Sequence, residues 1–277
     1  MAKESFRFIH ASDFHLERPL QDILDLPENL KKTLVDAPWK AAEAVFEHAV
    51  VENVDFVILC GDLLNPLTCG AAGVAFLLDQ FETLRERNIE VYWAGGIVDD
   101  PERWPEAVVL PSNVHVFSKH EVEEFTFRRH QTPLVTLLGR SSQGAENIRA
   151  RRIWHDPDDN FVIAVAFGKA DSETLATERV DYWARRAASI RNTTQRRASY
   201  SLLWLATSSR LNEPGEHGFV LVDVDAQRNL QSTASISTWC ATRRKTSMPT
   251  TCSDATCGNY YPSVGACRAK PPADTCS

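Results

Sequence analysis

The chain has 277 residues, is 43% hydrophobic and carries a formal charge of −7 at neutral pH. That length accommodates one large domain with a full core, and the acidic balance argues against nucleic-acid binding through overall charge. No apolar run approaches the roughly 20 residues that span a bilayer, and no apolar leader follows Met1. We therefore expect a cytoplasmic protein without a membrane partner.

Strands and helices alternate along the first part of the chain. Apolar runs predict strands at Phe6–Asp13, Val54–Cys60 and Ile89–Ala94. Helical periodicity at residues 42–50 and 74–81 predicts amphipathic helices between them. This order predicts an α/β fold whose N-terminal part is a parallel sheet with helices on its faces. Further elements are predicted as strands at 113–118, 122–127, 134–139, 161–167, from Val180 onward and at 218–223, with a short helix at 173–178.

Polar side chains follow two of the predicted strands. Asp13 and His15 stand two residues apart, so an extended backbone would point both side chains the same way. Gly61 allows a sharp turn before Asp62, which should aim that carboxylate at the same sheet edge. Three oxygen and nitrogen ligands suit Mn, Fe or Zn. The sequence therefore predicts a divalent-metal site formed by Asp13, His15 and Asp62.

The segment Ile9–Leu16 resembles the DxH motif of calcineurin-like metallophosphoesterases, and Gly61-Asp62 resembles their GD motif. The surrounding sequence is most similar to the nuclease subunit of the bacterial SbcCD repair complex and related DNA-repair exonucleases. The resemblance implies a layered β-sheet core flanked by helices and phosphodiester hydrolysis by two metal ions about 3.5–4 Å apart. It also implies that Asp13 and His15 bind one ion, that Asp62 bridges both, and that DNA and an SMC-like ATPase are partners.

Later motifs of that family are altered in this chain. The family has GNH followed by an acid after its third strand, where this chain has Gly95–Asp100. Ile97 and Val98 stand in place of the metal-binding Asn and the His that protonates the leaving group, so no catalytic residue is assigned there. Phe167 stands where a ligand His is expected, and no histidine lies within 156–216 to form the paired GHxH motif. With these substitutions we expect at most one tightly bound ion and little hydrolysis.

Three other residues could contribute to the site. Asp99 and Asp100 could supply a substitute metal ligand, or could form a solvated turn. Arg140, within Gly139–Ser142 at the end of a predicted strand, could contact a phosphate. A plain loop is the alternative for that segment.

Two segments differ in composition from the rest of the chain. Arg185–Leu211 has six arginines and no acidic residue, and 231–277 has 20 Ser, Thr and Cys among 47 residues. We expect one domain over 1–230, irregular at 185–211, followed by a disordered tail. Abrupt loss and return of strand-like sequence suggests shifts of reading frame. Translation of the other two frames tests this, and a lack of strand-like continuation there would favour true divergence.

Three functional hypotheses remain open from the sequence. The chain could be a metal-dependent phosphoesterase, such as a nuclease, with a reduced site. It could be a non-catalytic relative that acts as a binding or assembly subunit. It could also be a frame-damaged copy of such a protein. Whether it is an enzyme is therefore left open by the sequence alone.

Overall fold

The structure is a computed structural model that describes residues 4–17, 28–142, 160–168, 180–185, 199–200 and 218–236. Within these residues two β-sheets and two long helices form. The elements in chain order are β1 (Phe6–Ala11), α1 (Glu28–Val51), β2 (Phe56–Leu59), α2 (Pro66–Glu86), β3 (Glu90–Trp93), a 3₁₀ turn (Pro101–Arg103), β4 (Val114–Val116), β5 (Glu123–Arg129), β6 (Thr132–Arg140), β7 (Phe161–Ala166), β8 (Tyr182–Arg185), β9 (Ser199–Tyr200), β10 (Gly218–Val224) and β11 (Leu230–Ile236).

The first sheet has the strand order β11-β10-β1-β2-β3-β4. Strands β1 to β4 are parallel, and helices α1 and α2 form the crossovers from β1 to β2 and from β2 to β3. Strand β2 is buried at all four positions, as its continuous apolar sequence predicts. Strand β10 pairs antiparallel with β1 and with β11. The predicted α/β fold with parallel N-terminal strands is confirmed.

The second sheet has the strand order β5-β6-β7-β8-β9. Strands β5 and β6 form a hairpin whose two turn residues, His130 and Gln131, have φ values of 48° and 68°. Positive φ at both positions is the geometry that two-residue hairpin turns require. Strands β6 to β9 then run parallel. Both sheets therefore present the carboxyl ends of several parallel strands.

One apolar core layer lies between the two sheets. Phe8 of the first sheet stacks on Phe56 at 5.0 Å between ring centroids and meets Tyr182 of the second sheet edge-on at 5.1 Å. A second apolar layer lies between the first sheet and helices α1 and α2, and includes Phe46 and Phe81. No helix among the described residues has an apolar stretch long enough to cross a membrane.

Strand β11 continues past residue 230, the predicted end of the domain. This strand runs to Ile236 and pairs along its whole length with β10. The pairing satisfies the backbone hydrogen-bonding groups of β11 that face β10. A Ser- and Thr-rich edge strand can therefore form although its side chains are largely exposed. Within 185–211, Arg185 completes β8 and Ser199–Tyr200 pairs with it. The predicted helix at 173–178, the rest of 185–211 and residues 237–277 lie outside the described residues.

Candidate metal centre

Asp13, His15 and Asp62 converge at the carboxyl edge of the first sheet. One ligand atom from each lies within 4.8 Å of the other two, and all three residues are buried. Asp13 and His15 follow β1 and Asp62 follows β2, so neighbouring parallel strands deliver them to one place. Two carboxylates and one imidazole around a buried point form a donor set that fits Mn, Fe or Zn. The residues present therefore fit a divalent ion.

The backbone at these three residues is unusual. Asp13, His15 and Asp62 have φ values of 57°, 47° and 55°, in the left-handed region that non-glycine residues seldom adopt. Each such residue costs on the order of 1–2 kcal/mol in the absence of compensation. Such conformations concentrate at functional sites, where the surrounding structure enforces them. Turning the chain in this way aims all three side chains at one point.

Backbone hydrogen bonds hold the two loops together. The Asp13 N–H donates to the Gly61 carbonyl at 3.0 Å, and the His15 N–H donates to the Asp62 carbonyl at 3.0 Å. Gly61 itself has φ of 74°, and a Cβ there would lie 2.5 Å from the backbone nitrogen of Gly96. A glycine is therefore required before Asp62. The parallel pairing of β1 and β2 continues into the site and sets the ligand spacing.

His15 lies between three carboxylates. Its Nε2 is 3.6 Å from Asp13 Oδ1 and 4.0 Å from Asp62 Oδ2, and its Nδ1 is 3.2 Å from Glu17 Oε1. Burial lowers the pKa of His15, but hydrogen bonds to Asp13 and Glu17 and the charges of Asp13 and Asp62 outweigh it and raise the pKa to about 9. Without a metal ion, a proton on this imidazole neutralises part of the negative charge.

The other oxygen of Asp62 points away from His15. Asp62 Oδ1 accepts hydrogen bonds from the backbone N–H groups of Ile97 at 2.8 Å and Val98 at 3.1 Å. These are the two positions where the family resemblance implies Asn and His. Their backbones hold the carboxylate, while their side chains offer neither a metal ligand nor a proton.

The ring of Phe167 packs beside this carboxylate. It lies so close that a Cβ on Gly61 would approach its Cδ2 within 2.7 Å, and a Cβ on Gly96 would approach its Cε2 within 2.9 Å. Phe167 follows β7 and is 7% exposed. An apolar ring therefore occupies the neighbourhood of Gly61-Asp62 on the side of the second sheet. The resemblance implies a histidine ligand at this position.

Asp99 is buried next to Asp62 and accepts hydrogen bonds from the loops around it. Its Oδ1 accepts from the N–H groups of Asp62 at 2.8 Å and Gly96 at 2.6 Å, and its Oδ2 accepts from Leu63 N–H at 3.2 Å and Trp93 Nε1–H at 3.1 Å. Burial and the charge of Asp62 raise the pKa of Asp99 to about 7. Because four donors already engage its oxygens, we assign Asp99 a structural role and not that of a substitute ligand.

Asp100 and Arg140 lie outside the ligand cluster. Asp100 pairs with Lys119 at 3.2 Å and caps the following 3₁₀ turn through the Glu102 N–H at 3.0 Å. Arg140 is the last residue of β6. Next to it, Ser141 accepts a hydrogen bond from the Gly95 N–H at 2.8 Å and donates to the Phe117 carbonyl at 2.5 Å. This loop therefore ties the second sheet to the glycine turn beside Asp62.

Sequence reasoning did not identify Glu17, whose carboxylate contacts His15 Nδ1. The alternation Asp13-x-His15-x-Glu17 was the available signal. It also did not identify the buried network in which His10 Nε2 lies 3.2 Å from Cys60 Sγ and His10 Nδ1 lies 3.0 Å from Tyr182 Oη. Burial, with the charge of Arg185, lowers the pKa of His10, so this network is a neutral part of the core.

Comparison with known proteins agrees with this geometry. A family model described as Calcineurin-like phosphoesterase matches residues 6–192, a range that contains the three clustered ligands. The chain is 32% identical over 198 residues to the uncharacterized metallophosphoesterase YhaO of Bacillus subtilis (strain 168). That match covers 64% of this chain and 47% of the relative, so the chain spans about half of its length. The chain belongs to the calcineurin-like phosphoesterase family, whose members use divalent metal ions.

Proposed function

We propose that this protein binds one divalent ion tightly at Asp13, His15 and Asp62 and retains phosphodiester hydrolysis only near background. The ion would polarise a phosphoryl oxygen and acidify a water molecule. The three residues would hold the ion, and because all three are buried they would limit the access of bulk water to it. The observation that carries the proposal is the apolar surroundings of Asp62, formed by Ile97, Val98 and Phe167, which offer neither a second set of metal ligands nor a proton donor.

The surroundings of Asp62 support a single tight ion. Asp62 Oδ1 accepts from the N–H groups of Ile97 and Val98, so metal coordination falls on Oδ2, and the Ile97 side chain offers no ligand for a second ion. Phe167 adds an apolar ring where a second cation would need a ligand. Asp62 Oδ2 remains on the side of His15 Nε2, 4.0 Å away. The donor set is therefore complete for one ion and poor for two.

The missing proton donor supports weak hydrolysis. The leaving oxygen of a phosphodiester needs a proton, and a positioned acid is typically worth about 10²–10⁴-fold in rate. Val98 occupies the position that the resemblance implies for that acid, and a valine side chain cannot transfer a proton.

We further propose that the natural phosphodiester is DNA, bound with an SMC-like ATPase partner. The support is the similarity of the motifs around Asp13 and Asp62 to DNA-repair exonucleases. A chain with this fold and without turnover would act in such an assembly as a binding subunit. That alternative is favoured by the same observation, namely the apolar side chains at Ile97 and Val98.

The test is a calorimetric titration of the full chain with Mn²⁺, combined with hydrolysis of a short single-stranded DNA by the loaded protein, because the alkoxide leaving group of DNA needs a proton. We expect one stoichiometric site and a rate close to that of the buffer. Two tight sites would contradict our interpretation of Asp62 Oδ1 and Phe167. Turnover in the ordinary enzymatic range, about 1–10³ s⁻¹, would contradict the proposed loss of hydrolysis and show that another residue supplies the proton.

Metal binding should depend on pH through His15. Its pKa of about 9 in the metal-free protein means that a proton occupies the imidazole at neutral pH. The ion and this proton compete, so metal affinity should rise about tenfold per pH unit up to about pH 9 and level off above it. Titrations at pH 6 to 8 in buffers of different ionisation enthalpy should reveal one released proton per ion. An affinity that is independent of pH would exclude His15 as a ligand.

A further inference from the structure

Glu17 places a buried carboxylate between the metal-ligand cluster and the start of α2. Its side chain is 4% exposed. Oε1 lies 3.2 Å from His15 Nδ1, and Oε2 accepts a hydrogen bond from the Asn65 N–H at 3.1 Å. The two oxygens therefore contact two different elements, the loop after β1 and the residue that caps α2.

Burial of this carboxylate is costly unless its oxygens are satisfied. Both oxygens have a partner here, since Oε2 accepts from the Asn65 N–H and Oε1 contacts His15 Nδ1. A carboxylate oxygen can accept from His15 only if Nδ1 carries a hydrogen.

We propose that Glu17 is a positioning residue that keeps a hydrogen on His15 Nδ1 and thereby turns His15 Nε2 toward Asp13 and Asp62 as a metal ligand. The inference rests on the proposed metal site. A histidine whose second nitrogen donates to a carboxylate has a fixed tautomer and ring orientation and is a more basic ligand. The distances from Nε2 to Asp13 Oδ1, 3.6 Å, and to Asp62 Oδ2, 4.0 Å, match that orientation.

A purely structural role for Glu17 is the competing explanation. Its contact with the Asn65 N–H could serve only to fix the start of α2, where Asn65 Oδ1 accepts from the Leu67 N–H at 3.0 Å. The two roles differ in what Glu17→Gln changes. Glutamine has one acceptor oxygen for two donors. If that oxygen takes the Asn65 N–H, its amide N–H₂ faces Nδ1 and favours the tautomer with hydrogen on Nε2.

The experiment measures Zn²⁺ affinity by calorimetry in the full chain, because Zn²⁺ is diamagnetic and also permits NMR of the imidazole nitrogens. We compare the wild type with Glu17→Gln, and use two controls. Asn65→Ala removes the side-chain cap of α2 but keeps the backbone N–H that contacts Glu17. Glu82→Gln removes an exposed carboxylate that pairs with Arg85 on α2.

We expect Glu17→Gln to weaken Zn²⁺ binding about 10–100-fold and to lose the protected Nδ1–H signal of His15, which is identified by its absence in His15→Gln. Asn65→Ala should lower the thermal midpoint without altering Zn²⁺ affinity, and Glu82→Gln should change neither. The thermal midpoint of each metal-free variant shows whether that variant still folds. Weaker Zn²⁺ binding by a folded variant can then be assigned to a change at His15.

Three results would overturn the inference. If wild type binds Zn²⁺ and Glu17→Gln binds it within about twofold with an unchanged Nδ1–H signal, the positioning role fails while the metal site stands. A weakening in Asn65→Ala equal to that in Glu17→Gln would likewise assign the effect to the start of α2. If the wild type binds no Zn²⁺, the proposed metal site fails, and the inference fails with it.

Discussion

Replacing Asp62 with asparagine is expected to abolish tight metal binding and leave the metal-free fold intact. The asparagine oxygen can accept from the Ile97 and Val98 N–H groups, as Asp62 Oδ1 does at 2.8 and 3.1 Å. Its amide N–H₂ then faces His15 and cannot bind a cation. The loss in affinity should exceed the roughly 10–100-fold that follows removal of a ligand's hydrogen-bond partner, because here a ligand itself is removed.

Thermal unfolding with and without Mn²⁺ measures this effect. An ion that binds only the folded state raises the midpoint temperature of unfolding, and the rise grows with the ratio of the ion concentration to the dissociation constant. This rise on addition of Mn²⁺ should therefore vanish in Asp62→Asn. Asp62→Ala should lose the shift and also destabilise the metal-free protein by about 1–3 kcal/mol, because two N–H groups lose their acceptor. Asp79→Asn, on the exposed face of α2, is the matched control. A retained shift in Asp62→Asn would remove Asp62 from the ligand set.

The order of strands and helices could be predicted because it depends on apolar periodicity. The buried run of β2 and the helices on either side required no knowledge of tertiary contacts. The convergence of Asp13 and His15 was predicted from alternation along an extended strand, yet β1 ends at Ala11 and both residues have positive φ. The residues are the predicted ones, but a left-handed turn held by the Gly61 and Asp62 carbonyls brings them together.

Other features depend on contacts that local sequence patterns do not report. Asp99 has the composition of a solvated turn, and only the fold brings the N–H groups of Asp62 and Leu63 and the indole of Trp93 to it. Strand β11 has the polar composition of a tail, and only pairing with β10 makes it a strand. Sequence patterns report local periodicity, so contacts across 36 or 37 residues could not be read from them.

Replacing Val98 with histidine should raise phosphodiesterase activity from near background. Val98 is half-buried, and its backbone N–H lies 3.1 Å from Asp62 Oδ1, so an imidazole there starts within one side-chain length of the ligand cluster. Family resemblance implies the proton donor at this position. If the absence of this proton donor limits the rate, restoring the donor should raise the hydrolysis rate about 10²–10⁴-fold. Hydrolysis of a short single-stranded DNA with Mn²⁺ measures the change, because its alkoxide leaving group must be protonated.

Two controls make the gain specific. Val109→His adds the same side chain at a position that is 81% exposed, and should leave the rate unchanged. Asp62→Asn in the Val98→His background should remove the gain, since the proton donor acts only on a phosphate held by the ion. A rate in Val98→His equal to that of wild type would contradict the view that proton transfer limits hydrolysis. The rate would then be limited by loss of the second ion, for which the family resemblance implies a ligand at Phe167. In that case Phe167→His added to Val98→His should raise the hydrolysis rate.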